Sequence, residues 1–204
     1  MDPNAKTIIS FALFFLYLSF SNISLARGAE VDDETPFTYE RNPEKGPEGW
    51  GKINPHWKTC NTGKFHLRSI SLTQDYDMEL HMVHTSAGGK TAVIGVLYKL
   101  DKPNEFLTRL LDGIKTVGKE ERDLGIVDPR TIRFQTKKFY RYIGSLTVPP
   151  CTEGVIWTVV KRVNTISMEQ IAALRSAVDD GYETNSRPVQ ERNGRSVWFY
   201  DPNV

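Results

Sequence analysis

The 204-residue sequence lacks several features that would assign it to a specialised class of protein. Its formal net charge is only +1, so the charge indicates neither nucleic acid nor an acidic partner. It contains no internal repeat and no low-complexity segment. Its longest apolar run, IISFALFFLYLSF, begins after Lys6 and falls short of the roughly 18 to 20 residues needed to cross a bilayer. One globular domain of ordinary composition is therefore expected, with no membrane span.

The apolar run instead fits a secretory signal peptide. It is followed by Ser24-Leu25-Ala26, a small-x-small site suited to signal peptidase. No positive stop-transfer cluster follows it, which argues against the alternative of a membrane anchor. We expect residues 1–26 to be removed after Ala26, leaving a single domain over 27–204.

The sequence has only two cysteines, Cys60 and Cys151. Two unpaired thiols are unusual in the oxidising secretory pathway, so a disulfide is expected, and two buried free cysteines are the weaker alternative. The bond would close a loop of about 90 residues and stabilise the fold by on the order of 4 kcal/mol in the chain-entropy model.

Two histidines three residues apart, His81 and His84, raise the question of a metal site. The alternation in YDMELHMVH, the turn signal Gly88-Gly89 and the β-branched run from Thr91 to Leu100 predict a β-hairpin. On a strand, residues three apart point to opposite faces, so one metal ion cannot easily bind both histidines.

The remaining periodicity predicts a mainly β domain with a few peripheral helices. An apolar stripe predicts a helix from Asn104, a plausible N-cap, to about Val117. A second helix should open at Ser167, where SMEQ is a capping box. Strand-like runs cover 139–146 and 154–162, and SVWFY near the end of the chain is a further one.

Four separated motifs point to one family. They are GPEGWG (Gly46–Gly51), ELHMVH (Glu79–His84), SLTVPPC (Ser145–Cys151) and NSRPVQ (Asn185–Gln190). In this order they closely resemble the α-class carbonic anhydrases, in particular the secreted members from plants. The resemblance implies a mainly antiparallel central sheet with a conical pocket. It also implies a zinc ion on three histidines, which turns bound water into hydroxide that attacks carbon dioxide.

The resemblance also assigns roles to residues. His81 matches the third zinc ligand, and Glu79 matches the carboxylate that orients a ligand imidazole. Thr147 matches the hydroxyl that accepts a hydrogen bond from zinc-bound hydroxide. His84 matches no ligand. The expected wall of the substrate pocket is apolar: Val83, Val93, Leu146, Val148 and Trp157. Cys60 and Cys151 match the disulfide of secreted members.

The chain departs from the family upstream of Tyr76. Relatives carry an HWH motif with the first two zinc histidines and an SEH motif whose glutamate anchors the threonine, and both are absent here. Between Lys64 and Tyr76 the chain has FHLRSISLTQD, where relatives have a segment near FQSPIDLT and then many residues of central sheet. With one choice of synonymous codons, loss of a single nucleotide turns FQSPIDL into FHLRSIS. We therefore expect a domain truncated internally around 65–76, with central strands missing and His66 no ligand.

Three hypotheses follow. The chain is a zinc lyase acting on carbon dioxide and bicarbonate, a non-catalytic secreted protein that binds a small molecule or partner, or a defective splice or gene-model product. With His81 alone from the ligand set, zinc binding should be weak or absent and the enzyme inactive. The expected destination is the secretory pathway, either the apoplast or a plastid reached by that route. The sequence does not indicate an oligomeric state.

Overall fold

A computed structural model describes eight stretches of the chain, together with the backbone of Phe15–Tyr17. The stretches are 37–41, 44–64, 76–116, 127–128, 131–132, 134–177, 185–188 and 193–204. The segment 65–75, where the sequence departs from the family pattern, lies outside the described residues, as does His66.

The described elements are short helices near the start, then strands interrupted by two longer helices. In chain order they are β1 Phe15–Tyr17, α1 Trp50–Ile53, a 3-10 turn Pro55–Trp57, α2 Thr59–Thr62, β2 Met78–Thr85, β3 Thr91–Leu100, α3 Glu105–Thr116, β4 Phe139–Ser145, β5 Glu153–Val160, β6 Asn164–Ile166, α4 Met168–Ser176 and β7 Trp198–Tyr200. The predicted hairpin, both predicted helices and the three further strands are confirmed, each within a few residues.

The seven strands form one mixed sheet in the order β1-β2-β3-β5-β4-β7, with β6 also paired to β3. The longest pairings are antiparallel, β2 with β3 and β4 with β5. Three shorter pairings are parallel: β1 with β2, β3 with β5 and β3 with β6. The mainly β fold class is confirmed, and the parallel pairings are an addition that local sequence patterns do not reveal.

Helices α3 and α4 cover one face of the sheet, here called the helix face. Their apolar sides pack with Leu80, Met82 and Val96 from the sheet in one buried cluster. Both helices begin as the sequence predicts. The Asn104 side chain accepts hydrogen bonds from the backbone N–H groups of the first turn of α3, and Ser167 forms a capping box with Gln170.

The opposite face, here called the pocket face, carries a second buried cluster. Its members are Val83, Val93, Leu97, Tyr142, Val155, Trp157 and Val159. Leu80 and Met82 belong to the helix face and Val83 to the pocket face, so strand alternation places Glu79 and His81 on the pocket face and His84 on the helix face.

A third cluster joins the short N-terminal helices to the turn after β4. Phe37, Tyr39 and Trp50 pack around the disulfide between Cys60 and Cys151. The sulfurs are 2.02 Å apart and the bond links residues separated by 91 positions, which confirms the predicted pairing. Within the described part of the chain, no helix is long and apolar enough to cross a membrane.

Candidate functional site

Glu79 and His81 form a contacting pair on the pocket face. Both side chains project from β2, and His81 Nε2 is 2.9 Å from Glu79 Oε1. The geometry between these two atoms is not that of a hydrogen bond, so the two side chains interact electrostatically. The side chains are mostly buried, at 12% and 18% exposed for His81 and Glu79. A carboxylate beside one ring nitrogen favours the proton there and leaves the lone pair on the other.

A glycine makes room for this pair. Gly95 stands opposite His81 in the β2–β3 register. A Cβ atom at Gly95 would lie 2.9 Å from Glu79 Oε1, so even alanine would press on the carboxylate. The sequence interpretation missed this role, although an isolated glycine inside the β-branched strand TAVIGVLY is a signal of close approach.

Trp157 links the histidine to the apolar wall. Its ring packs edge-on against His81, with 4.9 Å between ring centroids. Its indole Nε1 donates a 3.0 Å hydrogen bond to the carbonyl of Ser145, the last residue of β4. Val83, Val93 and Trp157 are buried in one cluster, and Leu146 packs against it. Four of the five predicted wall residues therefore lie together.

Thr147 and Val148 lie in the turn that joins β4 to β5. Leu146 N donates to Thr152 O across this turn, and Cys151 N donates to Val148 O. The turn contains a cis peptide bond between Pro149 and Pro150. Thr147 is half-buried. Val148 packs against the cluster around the disulfide and not against the pocket-face cluster.

The donors around His81 do not fit a three-histidine zinc site. The described residues contain no group of three or more histidine, cysteine, aspartate or glutamate side chains able to hold a metal ion. Of the other histidines, His84 lies on the helix face and His56 lies exposed in the 3-10 turn. The positions paired with His81 on its two neighbouring strands are Gly95 on β3 and Phe15 on β1. Neither supplies an imidazole, and the contact that His81 makes with Glu79 is to an acidic side chain.

Comparison with known proteins identifies the family. The model of the family described as eukaryotic-type carbonic anhydrase matches residues 50–201, most of the described chain. This chain belongs to that family. Among curated relatives it is similar to Alpha carbonic anhydrase 4 of Arabidopsis thaliana, with 59% identity and all of both chains covered. It is also similar to Alpha carbonic anhydrase 6 of the same plant, with 45% identity over 80% of this chain and 87% of the relative.

The alignment to Alpha carbonic anhydrase 4 is longer than this chain. It runs over 268 positions, whereas this chain has 204 residues, so at least 64 positions of the alignment have no residue of this chain. Both chains are covered completely, so the missing positions lie within the alignment and not beyond its ends. The truncation around 65–76 stays a prediction.

Solved structures share the fold. A crystal structure of dioscorin complexed with ascorbate matches with a TM-score of 0.73 and 28% identity, over 81% of this chain and 98% of that one. A hyperthermostable carbonic anhydrase from a hydrothermal vent chimney matches with a TM-score of 0.68 and 23% identity, over 81% of this chain and 100% of that one. The carbonic anhydrase fold is therefore present despite the shorter sequence.

Proposed function

We propose that this chain is a non-catalytic carbonic anhydrase homologue that binds a small hydroxylated organic compound at the retained pocket face. The observation that carries the proposal is the donor set at His81. One imidazole with its carboxylate partner is retained, and the neighbouring position on β3 holds Gly95.

The chemistry of the family reaction explains why this donor set is insufficient. A catalytic zinc ion needs three protein ligands and an open fourth position, because that set lowers the pKa of bound water towards neutrality. A single imidazole holds zinc weakly and leaves it mostly hydrated. Carbon dioxide and bicarbonate are therefore the substrates of the family, and we do not assign them to this chain.

The retained features suit a small-molecule site. Ligand pockets are mainly apolar with a few well-placed polar groups. Here Val83, Val93 and Trp157 supply the apolar wall, and Glu79 and the free ring nitrogen of His81 supply hydrogen-bond acceptors beside it. The solved dioscorin of the same fold is complexed with ascorbate. A small organic compound whose hydroxyl groups donate to these acceptors, such as ascorbate, is the ligand class that we propose for this chain.

We further propose that the protein enters the secretory pathway after removal of residues 1–26. The Cys60–Cys151 disulfide supports this proposal, because such bonds persist in oxidising compartments. The N-terminal apolar run and its small-x-small site provide the signal. The apoplast and a plastid reached by the secretory route are both consistent with it.

Zinc content tests the non-catalytic part of the proposal. The protein is dialysed against buffer after incubation with zinc, and bound metal is measured by atomic absorption. We expect well under one equivalent, with no further loss in His81→Ala or in the control His84→Ala, which alters the other face of the same strand. Stoichiometric zinc that is lost in His81→Ala and kept in His84→Ala would revive the enzyme hypothesis.

Calorimetric titration with ascorbate tests the binding part. We expect saturable binding that weakens by about tenfold in His81→Ala, equivalent to one lost hydrogen bond, and is unchanged in His84→Ala. Equal loss in both variants, or no binding to the wild-type protein, would refute this ligand class. Neither result would bear on the zinc measurement.

A further inference from the structure

The guanidinium of Arg187 lies against the disulfide. Arg187 belongs to the NSRPVQ motif and is 6% exposed. Its Nη2 donates a 2.9 Å hydrogen bond to the carbonyl oxygen of Cys60. Its Nη1 points to the sulfur of Cys151 at 3.7 Å. The proposed binding function does not use this residue, and no part of the pocket-face site contains it.

The positive charge is fixed in this place. The guanidinium packs over the ring of Trp50, 5.2 Å from its centroid. Burial lowers the pKa of Arg187 to about 10, with opposing contributions from Glu48 and Tyr39, so the group stays charged at neutral pH. Glu48 is exposed, so solvent screens its negative charge. The positive charge of Arg187 is buried and is screened less.

The two sulfurs therefore have different surroundings. A cation beside a sulfur stabilises the thiolate and lowers the pKa of that thiol. The cation contacts Cys151, which is completely buried. Cys60 lies in the short surface helix α2, next to the exposed residues Asn61 and Thr62. Cys60 is 3% exposed, so burial differs little between the two residues, and the cation beside Cys151 gives that residue the more stable thiolate.

We propose that a thiol attacking this disulfide bonds to Cys60 and releases Cys151, which makes Cys60 the S-thiolation site of the chain. In the step, the attacking thiolate forms a new bond to Cys60 Sγ. The Cys60–Cys151 bond breaks, and its electron pair goes to Cys151 Sγ as a thiolate beside Arg187. The attacking thiol loses its proton to solvent beforehand. A low-molecular-weight monothiol such as glutathione is the reductant.

The size of the preference follows from leaving-group chemistry. A nearby cation lowers a thiol pKa by about one to two units, and exchange is faster when the leaving thiol has the lower pKa. We take the Brønsted coefficient that relates the exchange rate to the pKa of the leaving thiol as about 0.5, the value known for attacking thiols. Attack at Cys60 should then be favoured by about three- to tenfold. Since Cys151 ends the turn that carries Thr147, thiolation would also detach the N-terminal helices from that turn.

Mass spectrometry can count the two adducts directly. The full chain is exposed briefly to excess glutathione at pH 8, quenched with acid and alkylated. The ratio of adducts at Cys60 and Cys151 is then measured at early times. We expect a ratio of about 3 to 10 in the folded protein and a ratio near one in the urea-unfolded chain. Equal adducts in the folded protein, or an excess at Cys151, would overturn the proposal.

Three variants separate the charge from packing. Arg187→Met should bring the ratio close to that of the unfolded chain, whereas Arg187→Lys should keep most of the preference. Trp50→Phe is the matched control, because it loosens the packing around Arg187 without removing the charge. It should raise the total rate and leave the ratio unchanged. A wild-type ratio in folded Arg187→Met, or a shift in Trp50→Phe as large as that in Arg187→Met, would refute the role of the charge. If Arg187→Met does not fold, the comparison of folded and unfolded wild-type protein still decides the proposal.

Discussion

Replacing Gln170 by alanine should destabilise the domain more than any surface change on the same helix. The Gln170 side chain is 2% exposed and joins the starts of both helices. Its Oε1 accepts from Asn104 N at 2.8 Å and from Ser167 N at 3.2 Å. Its Nε2 donates to Asn104 O and to Thr108 Oγ1, each at 2.9 Å.

The expected loss can be worked out from these four contacts. A hydrogen bond contributes about 1 kcal/mol net, and leaving partly buried backbone groups unsatisfied adds to the cost. We therefore expect Gln170→Ala to lower the free energy of unfolding by about 2 to 4 kcal/mol. That is a large share of the roughly 5 to 15 kcal/mol typical of a whole domain.

Urea unfolding followed by circular dichroism, with the disulfide intact, measures this loss. The control is Glu169→Ala, one residue away. The Glu169 side chain is 67% exposed and pairs with Lys115 on the surface, so its removal should cost less than about 0.5 kcal/mol. A loss below about 1 kcal/mol in Gln170→Ala, or equal losses in the two variants, would refute the view that Gln170 joins the helices.

Three further predictions concern the sheet. Gly144→Ala should lower the free energy of unfolding, measured in urea, by about 1 to 3 kcal/mol. The new Cβ would lie 2.8 Å from the Trp157 ring and 2.9 Å from the Tyr142 ring. Unchanged stability would contradict this packing. Burial raises the pKa of Tyr98 to about 12, so the tyrosine hydroxyl is stabilised in its neutral form on folding. Stability should therefore be retained below pH 10 and fall between about pH 10 and 12, and a flat profile in alkaline unfolding would contradict it. Removal of residues 1–26 uncovers the part of β2 that pairs with β1, so amide exchange there should accelerate relative to the full chain; equal protection would contradict that pairing.

Much of the fold follows from local patterns. The alternation in ELHMVH and the Gly88-Gly89 turn are enough to predict β2 and β3. Asn104 and Ser167 mark the starts of the two helices, because their side chains cap backbone N–H groups. The parallel pairing of β3 with β5 is not local. It joins strands separated by about 60 residues of chain, and no short-range pattern specifies such partners.

The candidate site likewise has features that the sequence predicts and features that it does not. The disulfide that the resemblance implied is confirmed. Glu79 and His81 lie in contact on one face of β2, and the roles assigned to them stay predictions. Gly95 and Arg187 were missed as contributors, since their effects depend on side chains that approach from distant parts of the chain.

The most direct test of the central claim is the rate of carbon dioxide hydration with zinc present, measured by stopped-flow with a pH indicator. The folded chain should show no hydration above buffer. The same chain repaired with an FQSPIDL segment and the missing block from HWH to SEH should be active, and Thr147→Ala in the repaired protein should slow it by about 10²-fold. Hydration by the unrepaired chain that depends on zinc and is abolished by His81→Ala would contradict the account.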